Sequence, residues 1–277
     1  MNEDAVAGEG AAARWWRRSE RLRSVLLVLV GMGLLWEVGV RLAGIKPILL
    51  PAPSLVLKDF LSEPAYFLKH GGYTLLTTFA GFAIAVIGGI ACAVGIVYSK
   101  FLDRLLSALL VSLNAVPKVA LAPLFVIWLG TGTEPKIAIA IMIAIFPIVI
   151  DTVLGLKSVD PEMLNLARSC RASPSHVLFK IRFPNALPSI FAGMKVAISF
   201  SLVGAIVGEF VAGSIGLGHV IMQSQGTFDT PRVFVALVLL GVLGTILFYL
   251  VDLAETLLLP WHVSQRGGHT AELQIRP

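Results

Sequence analysis

Charge is scarce in this chain. Of its 277 residues, 14% are Asp, Glu, Lys or Arg, where a soluble domain carries about 25%. Hydrophobic residues make up 56% and the mean hydropathy is +0.85. These values exclude an ordinary soluble domain and describe an integral membrane protein. Cysteine is nearly absent. Cys92 sits in an apolar run and Cys170 in a polar interval, which gives neither a disulfide framework nor a metal spacing. The histidines (His70, His176, His219, His262 and His269) are scattered and no H-E-x-x-H occurs, so no metal site is expected. There is no G-x-x-x-x-G-K-[ST], so the chain has no P-loop to cradle nucleotide phosphates and no cofactor of its own is expected. G-x-S-x-G is missing too, and nothing points to covalent catalysis. The net charge of +5 is no sign of a nucleic-acid partner, because its cations are distributed by topology.

What the chain has is long apolar runs. Six are expected to span a bilayer as helices: about 24–44, 73–98, 105–130, 135–156, 187–211 and 232–259. Each is long enough for a hydrocarbon core of about 30 Å, and the period-two alternation of a barrel strand is absent. The basic stretch before the first run also fits a signal peptide. The length of the run and the lack of a small-x-small cleavage site favour a span. The third run is the least regular, because Asn114, Pro117, Lys118 and Pro123 interrupt it. In the second run, Gly81 and Gly88 share a face and would allow close helix contact. Segments 1–23, 99–104, 157–186 and 260–277 together carry 14 Lys/Arg, against 5 in 45–72, 131–136 and 212–232. The positive-inside rule puts the richer set in the cytoplasm. The expected organisation is a cytoplasmic basic segment (1–23), a membrane domain (24–259) with both ends inside, and a cytoplasmic tail (260–277). This scheme fails if the third run does not cross. The external segment 45–72 contains LVLKDFL, expected as a short interfacial helix contacting lipid headgroups. The segment 212–231 is expected as a second external loop.

The longest polar interval, 160–188, reads as two short amphipathic helices. In the first, Met163, Leu166, Ala167 and Cys170 make an apolar stripe opposite Glu162, Asn165, Arg168 and Arg171. In the second, Val177, Leu178 and Ile181 share a face. Ser173 and Pro174 form a start signal, an N-cap serine followed by proline at the first helical position. Pro184 and Pro188 are expected to close the segment.

Ionisable groups inside spans cost at least ~2.5 kcal/mol at mid-bilayer and are functional candidates. Lys118, with Asn114 and Pro117 beside it, is a candidate lining of a translocation pathway, where its charge favours an anionic solute. Glu209 is a second candidate. The alternatives are packing or pairing for both, or snorkelling of Lys118 to the interface. Glu37, Arg41, Lys195, Asp252 and Glu255 lie nearer span ends and read as interfacial.

The interval 160–188 resembles the cytoplasmic "EAA" loop of permease subunits of binding-protein-dependent ABC importers. That pattern runs E-A-A, three residues, G, nine residues, I-x-L-P. Here it meets Asn165, Leu166, Ala167, then Arg171, then Ile181, Phe183 and Pro184. The stretches at 49–60, 115–132, 207–221 and 228–244 are similar to the nitrate/sulfonate/taurine branch. The resemblance implies an all-α permease of the type I importer fold in a prokaryotic plasma membrane (a bacterial inner membrane), working as a dimer with a second permease subunit. It also implies two cytoplasmic ABC ATPase subunits that bind the ATP, and an external solute-binding protein. The two short helices would be coupling helices. Glu162, Asn165, Leu166, Ala167, Arg168, Arg171, Ala172, Ser173, Val177, Leu178, Ile181 and Pro184 would then carry the contact with the ATPase. The chain departs from the pattern in having Asn165 for glutamate, Leu166 for the first alanine and Arg171 for glycine. Either Arg171 adopts a left-handed turn, or the first helix runs on to Ala172 and turns at Ser173–Pro174. The competing reading is a secondary transporter or channel without an ATPase. Against it stand the lack of a paired inverted repeat and the small number of spans.

Overall fold

A computed structural model describes residues 27–259, Leu29 excepted. The basic segment 1–23 and the tail 260–277 lie outside the described residues. Helix α1 is described over 30–42. It is followed by α2 (Pro53–Ser62), α3 (Pro64–Tyr98) and α4 (Lys100–Ala115). After a 3₁₀ turn at Lys118–Leu121 come α5 (Ala122–Leu129), α6 (Glu134–Lys157), α7 (Pro161–Ser169) and α8 (Pro174–Val177). A π-turn at Leu178–Arg182 leads into α9 (Phe183–Ala212), then α10 (Leu217–Gly226) and α11 (Thr230–Leu258). No strand occurs among the described residues. Four helices there are long and apolar enough to cross a membrane: Pro64–Tyr98, Glu134–Lys157, Pro174–Ala212 and Thr230–Leu258.

The chain forms two compact units. One is the chain up to Glu63 with Ser224–Val235, and the other is Pro64–Gln223 with the chain from Ala236 on. In the first unit, Glu37 of α1 accepts from the Ser54 N–H at 2.9 Å and its hydroxyl at 2.7 Å. A carboxylate thus meets the free amides at the start of α2, and the interfacial reading of Glu37 gives way to a capping one. Arg232 draws three acidic groups together, Glu63 at 3.0 Å, Asp59 at 3.8 Å and Asp229 at 3.9 Å. Burial holds the Asp59 carboxyl above its usual range, against the pull of Arg232, and the neighbouring Asp229 and Glu63 carboxylates add to the rise.

In the second unit, α6 lies between α3 and α9. The direction of each helix follows from which glycines meet which neighbours. A Cβ on Gly81 would fall 2.5 Å from the Ala140 Cβ, and one on Gly89 would fall 2.8 Å from Ile148. Numbers rise together, so α3 and α6 are parallel. On α9, a Cβ on Gly204 would fall 2.6 Å from the Ala140 Cα and one on Gly208 2.7 Å from the Lys136 Cα, while Gly155 of α6 meets Ala186 and Ser189. Numbers run oppositely, so α6 and α9 are antiparallel. Lipid offers no hydrophobic gain on helix contact, so close approach over small residues supplies the attraction. The close partner of Gly81 on α3 is Gly89. Gly88 meets only Ile145, at an ordinary 3.7 Å.

The third apolar run is not one helix. It breaks at Val116–Pro117, where Val116 is extended and Pro117 has no N–H to continue the ladder. Because α3 and α6 are parallel, the segment 99–133 must still return the chain from one end of the unit to the other, in two pieces. Pro184 and Pro188 do not close the polar interval either. The helical rod is continuous from Pro174 to Ala212. Pro184 falls in the first turn of α9 and Pro188 inside it. The π-turn, with the Phe183 N–H reaching the Leu178 carbonyl, re-registers the ladder just before both prolines.

Gly204→Val should lower thermal stability in detergent by about 1–3 kcal/mol or prevent folding, because the added carbons meet helix backbone. Gly88→Ala should leave the unfolding midpoint within error of the parent. Equal effects from both variants would contradict the packing described.

Candidate functional site

The polar interval lies at one end of the second unit. The Tyr98 hydroxyl donates to the Pro174 carbonyl at 2.7 Å, Arg182 donates to the Leu156 carbonyl at 2.8 Å, and Asn185 donates to Ser158 at 3.0 Å. The ends of α3 and α6 therefore hold it. Asp160 caps α7 by accepting from the Glu162 N–H at 2.8 Å, with Pro161 at the first helical position. Ser173 caps α8 by accepting from the His176 N–H at 3.3 Å, with Pro174 following.

Arg171 takes the left-handed conformation, with φ 52°. The Ala172 N–H bonds the Ala167 carbonyl at 3.0 Å and the Arg171 N–H bonds that of Arg168 at 2.9 Å. This is a Schellman closure with arginine where glycine is usual. So α7 does not run on to Ala172. A β-carbon in that conformation costs roughly 1–2 kcal/mol, offset by two satisfied carbonyls.

The expected apolar stripe of α7 divides. Ala167 is buried, while Met163 and Leu166 are 51% and 65% exposed and Cys170 is also exposed. Glu162, Asn165 and Arg168 of α7 and Arg171 just after it are exposed, and Arg168 donates to Asn165 Oδ1 at 3.1 Å. Leu178 turns inward at 8% exposure, and Ala172, Val177 and Ile181 are half-buried. Ser173 and Pro184 are exposed. Phe179 presents its ring outward at 65% exposure.

The opposite end holds a polar lattice that the sequence did not disclose. Three consecutive amides open α10, and each meets a side chain from another helix. The Gly216 N–H lies 3.0 Å from His70 Nδ1, the Leu217 N–H donates to Thr74 Oγ1 at 2.9 Å, and the Gly218 N–H donates to Glu209 Oε2 at 2.8 Å. The Thr74 hydroxyl donates in turn to Glu209, 2.9 and 3.1 Å from its two carboxyl oxygens. Lys136 is buried, donating to the Gly132 carbonyl at 3.0 Å and to Tyr73 Oη at 3.2 Å. The segment 212–231, expected as a loop, therefore contains a packed helix. Its Leu217 and Val220 are fully buried. The carboxylate of Glu209, 1% exposed, is engaged inside the unit and does not face an open passage.

Lys195 is ion-paired to Glu255 at 2.6 Å and to Asp252. It joins α9 to α11, so the interfacial reading of these three residues is replaced by an interhelical one. Lys118 stands half-buried at the break between α4 and α5, its Nζ 5.4 Å from the centre of the Phe146 ring. Phe146 is midway along α6, which puts Lys118 near mid-depth. Pro117 beside it is exposed. Asn114 ends α4 one residue from its terminus, and its side chain lies outside what is described.

The model of the binding-protein-dependent transport system inner membrane component matches residues 85–259. The chain belongs to this family. The riboflavin transport system permease protein RibX of Chloroflexus aurantiacus is 35% identical over 87% of this chain and 89% of its own length. The formylaminopyrimidine transport permease protein ThiX of Halalkalibacterium halodurans is 30% identical over 90% and 100%. The nitrate import permease protein NrtB of Synechocystis is 30% identical over 76% and 81%. Two solved structures share the fold. One, of the MetNI methionine ABC transporter in an inward-facing conformation, has a TM-score of 0.55 at 20% identity, over 68% of this chain and 92% of that one. The other, of an amino acid ABC transporter with histidines, has a TM-score of 0.58 at 18% identity, over 72% and 95%. The chain is the membrane permease subunit of a binding-protein-dependent ABC importer, and it works with a solute-binding protein and an ATPase.

Two outcomes follow for the permease. Arg171→Gly should raise stability by about 1 kcal/mol through relief of the left-handed strain, read as a higher midpoint with the ATPase still assembling. Loss of assembly would mean that the guanidinium itself is a contact. Glu209→Leu should cost about 3–5 kcal/mol, because it strands the Gly218 amide and the Thr74 hydroxyl. Glu209→Gln, which keeps an acceptor, should cost clearly less on the same thermal scale.

Proposed function

We propose that residues 160–188 of this permease are the coupling element that receives the stroke of two cytoplasmic ATPases. The observation that carries the reading is the exposure of Met163 and Leu166 on a capped helix, with charged and polar side chains flanking them. An amphipathic helix of this kind is a recurrent guest for a hydrophobic groove. Met163 and Leu166 are the anchors, and Glu162, Asn165, Arg168 and Arg171 form the rim. Ala167 and Leu178 tie the element inward. Ala172 and Ser173 make the turn, and Val177, Ile181 and Pro184 pass the force into α9 through a continuous helix.

ATP is bound by the partner, and the chain has no nucleotide site of its own, in keeping with the missing P-loop. A second copy of the chain completes the permease core. Both termini face the cytoplasm of a prokaryotic cell, as the Lys/Arg distribution favours. An external binding protein delivers the solute. Lys118, with Pro117 and Asn114 at the broken helix, lines the passage and attracts a small anion such as a sulfonate, taurine or nitrate. Relatives named for these solutes support that choice. A second reading is a heteroaromatic solute, favoured by the relatives named for riboflavin and formylaminopyrimidine transport. The Lys118–Phe146 pair also suits a planar ring.

Leu166→Asp should abolish co-purification of the ATPase while leaving the permease folded, and retained ATPase would overturn the coupling assignment. Lys118→Met should cut uptake of an anionic solute about tenfold or more and spare a neutral heterocycle. Unchanged uptake of both would remove Lys118 from the passage.

A further inference from the structure

Among the described residues, the carboxyl of Asp151 on α6 makes neither a hydrogen bond nor an ion pair. It is half-buried, with its oxygens open to whatever fills the side of the helix they lie on. The cations near it in the chain are engaged elsewhere. Lys195, just beyond Gly193 on α9, is paired to Asp252 and Glu255, and Lys157 at the end of α6 lies 3.8 Å from Asp103. A Cβ on Gly193 would fall 2.9 Å from the Asp151 Cβ and 3.1 Å from its Oδ2, so a glycine of α9 makes the room in which the carboxyl lies. Asp151 shares one side of α6 with Phe146, Pro147, Ile150 and Leu154. Helix α5 packs against both α6 and α9, and Lys118, shortly before α5, lies over Phe146. The broken third run thus reaches this side of α6 at Phe146, while Ile150 and Leu154 beyond it are exposed.

Acids within a membrane domain face the bundle interior or a water-filled cavity, because lipid solvates them poorly. Asp151 lies about 9 Å from the end of α6, too far for its short side chain to reach the membrane surface. The dense interior of the core is not its place, since it is half-exposed. A two-fold contact between copies over this side would set it against itself, carboxyl toward carboxyl. A water-filled passage meets all three constraints, and Lys118 already marks one on the same side of α6, about 7.5 Å further along the helix at Phe146. We propose that Asp151 is a solute-recognition residue of the passage that takes an N–H group, so that the solute carries a nitrogen donor besides the group that Lys118 attracts. This rests on the reading of Lys118 as a lining of the passage. An ionised carboxyl only accepts hydrogen bonds, so an anion with no N–H is repelled at Asp151. A zwitterion, or a heteroaromatic ring with an N–H edge, spans the cation and the carboxyl together, and Phe146, Ile150 and Leu154 give its apolar body a surface. Of the two solute classes weighed above, a simple anion is therefore the poorer fit.

The test uses the full-length permease with its ATPase in nanodiscs, with and without ATP, in a Cys92→Ala/Cys170→Ser background. Leu154→Cys places a reporter thiol one turn from Asp151. It is reacted with the cationic trimethylammonioethyl methanethiosulfonate or the anionic sulfonatoethyl methanethiosulfonate, and the rates are read by mass spectrometry against those of free cysteine. The reporter should favour the cationic reagent about tenfold. Asp151→Asn should remove that preference and Asp151→Glu should keep it. Asp151→Asn should also leave the thermal midpoint within error of the reporter parent, because no partner is lost. An equal preference with Asp151 and with Asn at this position overturns the proposal, and so does a fall in midpoint, which would make Asp151 a structural group. Oxidative cross-linking of Leu154→Cys between two copies would assign this side of α6 to a subunit contact and overturns it too. Failure of either reagent to reach Leu154→Cys, with or without ATP, has the same force. Lys118→Cys in the same background then separates the two readings. If it reacts, the passage at Lys118 stands and only the role of Asp151 falls, and if it does not, both fall.

Discussion

The Glu209 carboxylate is the interaction on which one end of the permease depends. A carboxyl group inside a membrane domain is costly unless its lone pairs are used. Here they are used by the Thr74 hydroxyl and the Gly218 amide. The gain runs both ways, because the first turn of α10 begins with amides that have no helical partner. In an apolar setting each unmet amide would cost several kcal/mol. Glu209, Thr74 and His70 meet three of them in a row, from two different helices. A segment rich in glycine thereby becomes a helix with one buried face where an external loop was expected, and it connects α9 to α11.

The middle of the domain is governed by a different constraint. Between helices in lipid, attraction comes from contact, so backbones must approach closely. Gly204 and Gly208 on α9 put Ala140 and Lys136 of α6 within reach, and Gly81 and Gly89 on α3 do the same from the other side. The polar interval 160–188 is tied to the end of this three-helix core by hydrogen bonds from Tyr98, Arg182 and Asn185. The break at Val116–Pro117 places Lys118 beside Phe146, midway along α6. The π-turn at Leu178–Arg182 joins α8 to α9 in one continuous rod, while α7 is set off from that rod by the left-handed turn at Arg171.

Much of the polar interval 160–188 was legible in the residues themselves. Ser173–Pro174 announced a cap and the structure has it. The polar interval was found from composition, and the alternatives for Arg171 followed from the position of one missing glycine. The lattice at the other end was not legible. Glu209 stood out as an intramembrane acid, but its partners Thr74 and Gly218 lie 135 and 9 positions away, and threonines and glycines in apolar runs carry no signal. Lys136 was counted among the cations of the loop 131–136, yet it is buried. Gly88 looked like the packing partner of Gly81 because spacing by sevens keeps one face. Gly88 does stay within about 20° of Gly81 around the helix, yet Gly89 is the residue that reaches α6, at Ile148.

Composition and periodicity alone determined that the chain is a helical membrane protein with a basic, amphipathic element between two spans. Those properties follow from solvation and from the 3.6-residue repeat, and both are local. Only the tertiary structure decided that α3 and α6 run parallel, that Pro184 and Pro188 lie inside a continuous rod, and that Arg171 closes α7 in the left-handed region. It also decided that Glu209 is an anchor and not an open charge. Each of these depends on which distant backbone groups come within hydrogen-bonding or van der Waals distance, and no local pattern of residues encodes that.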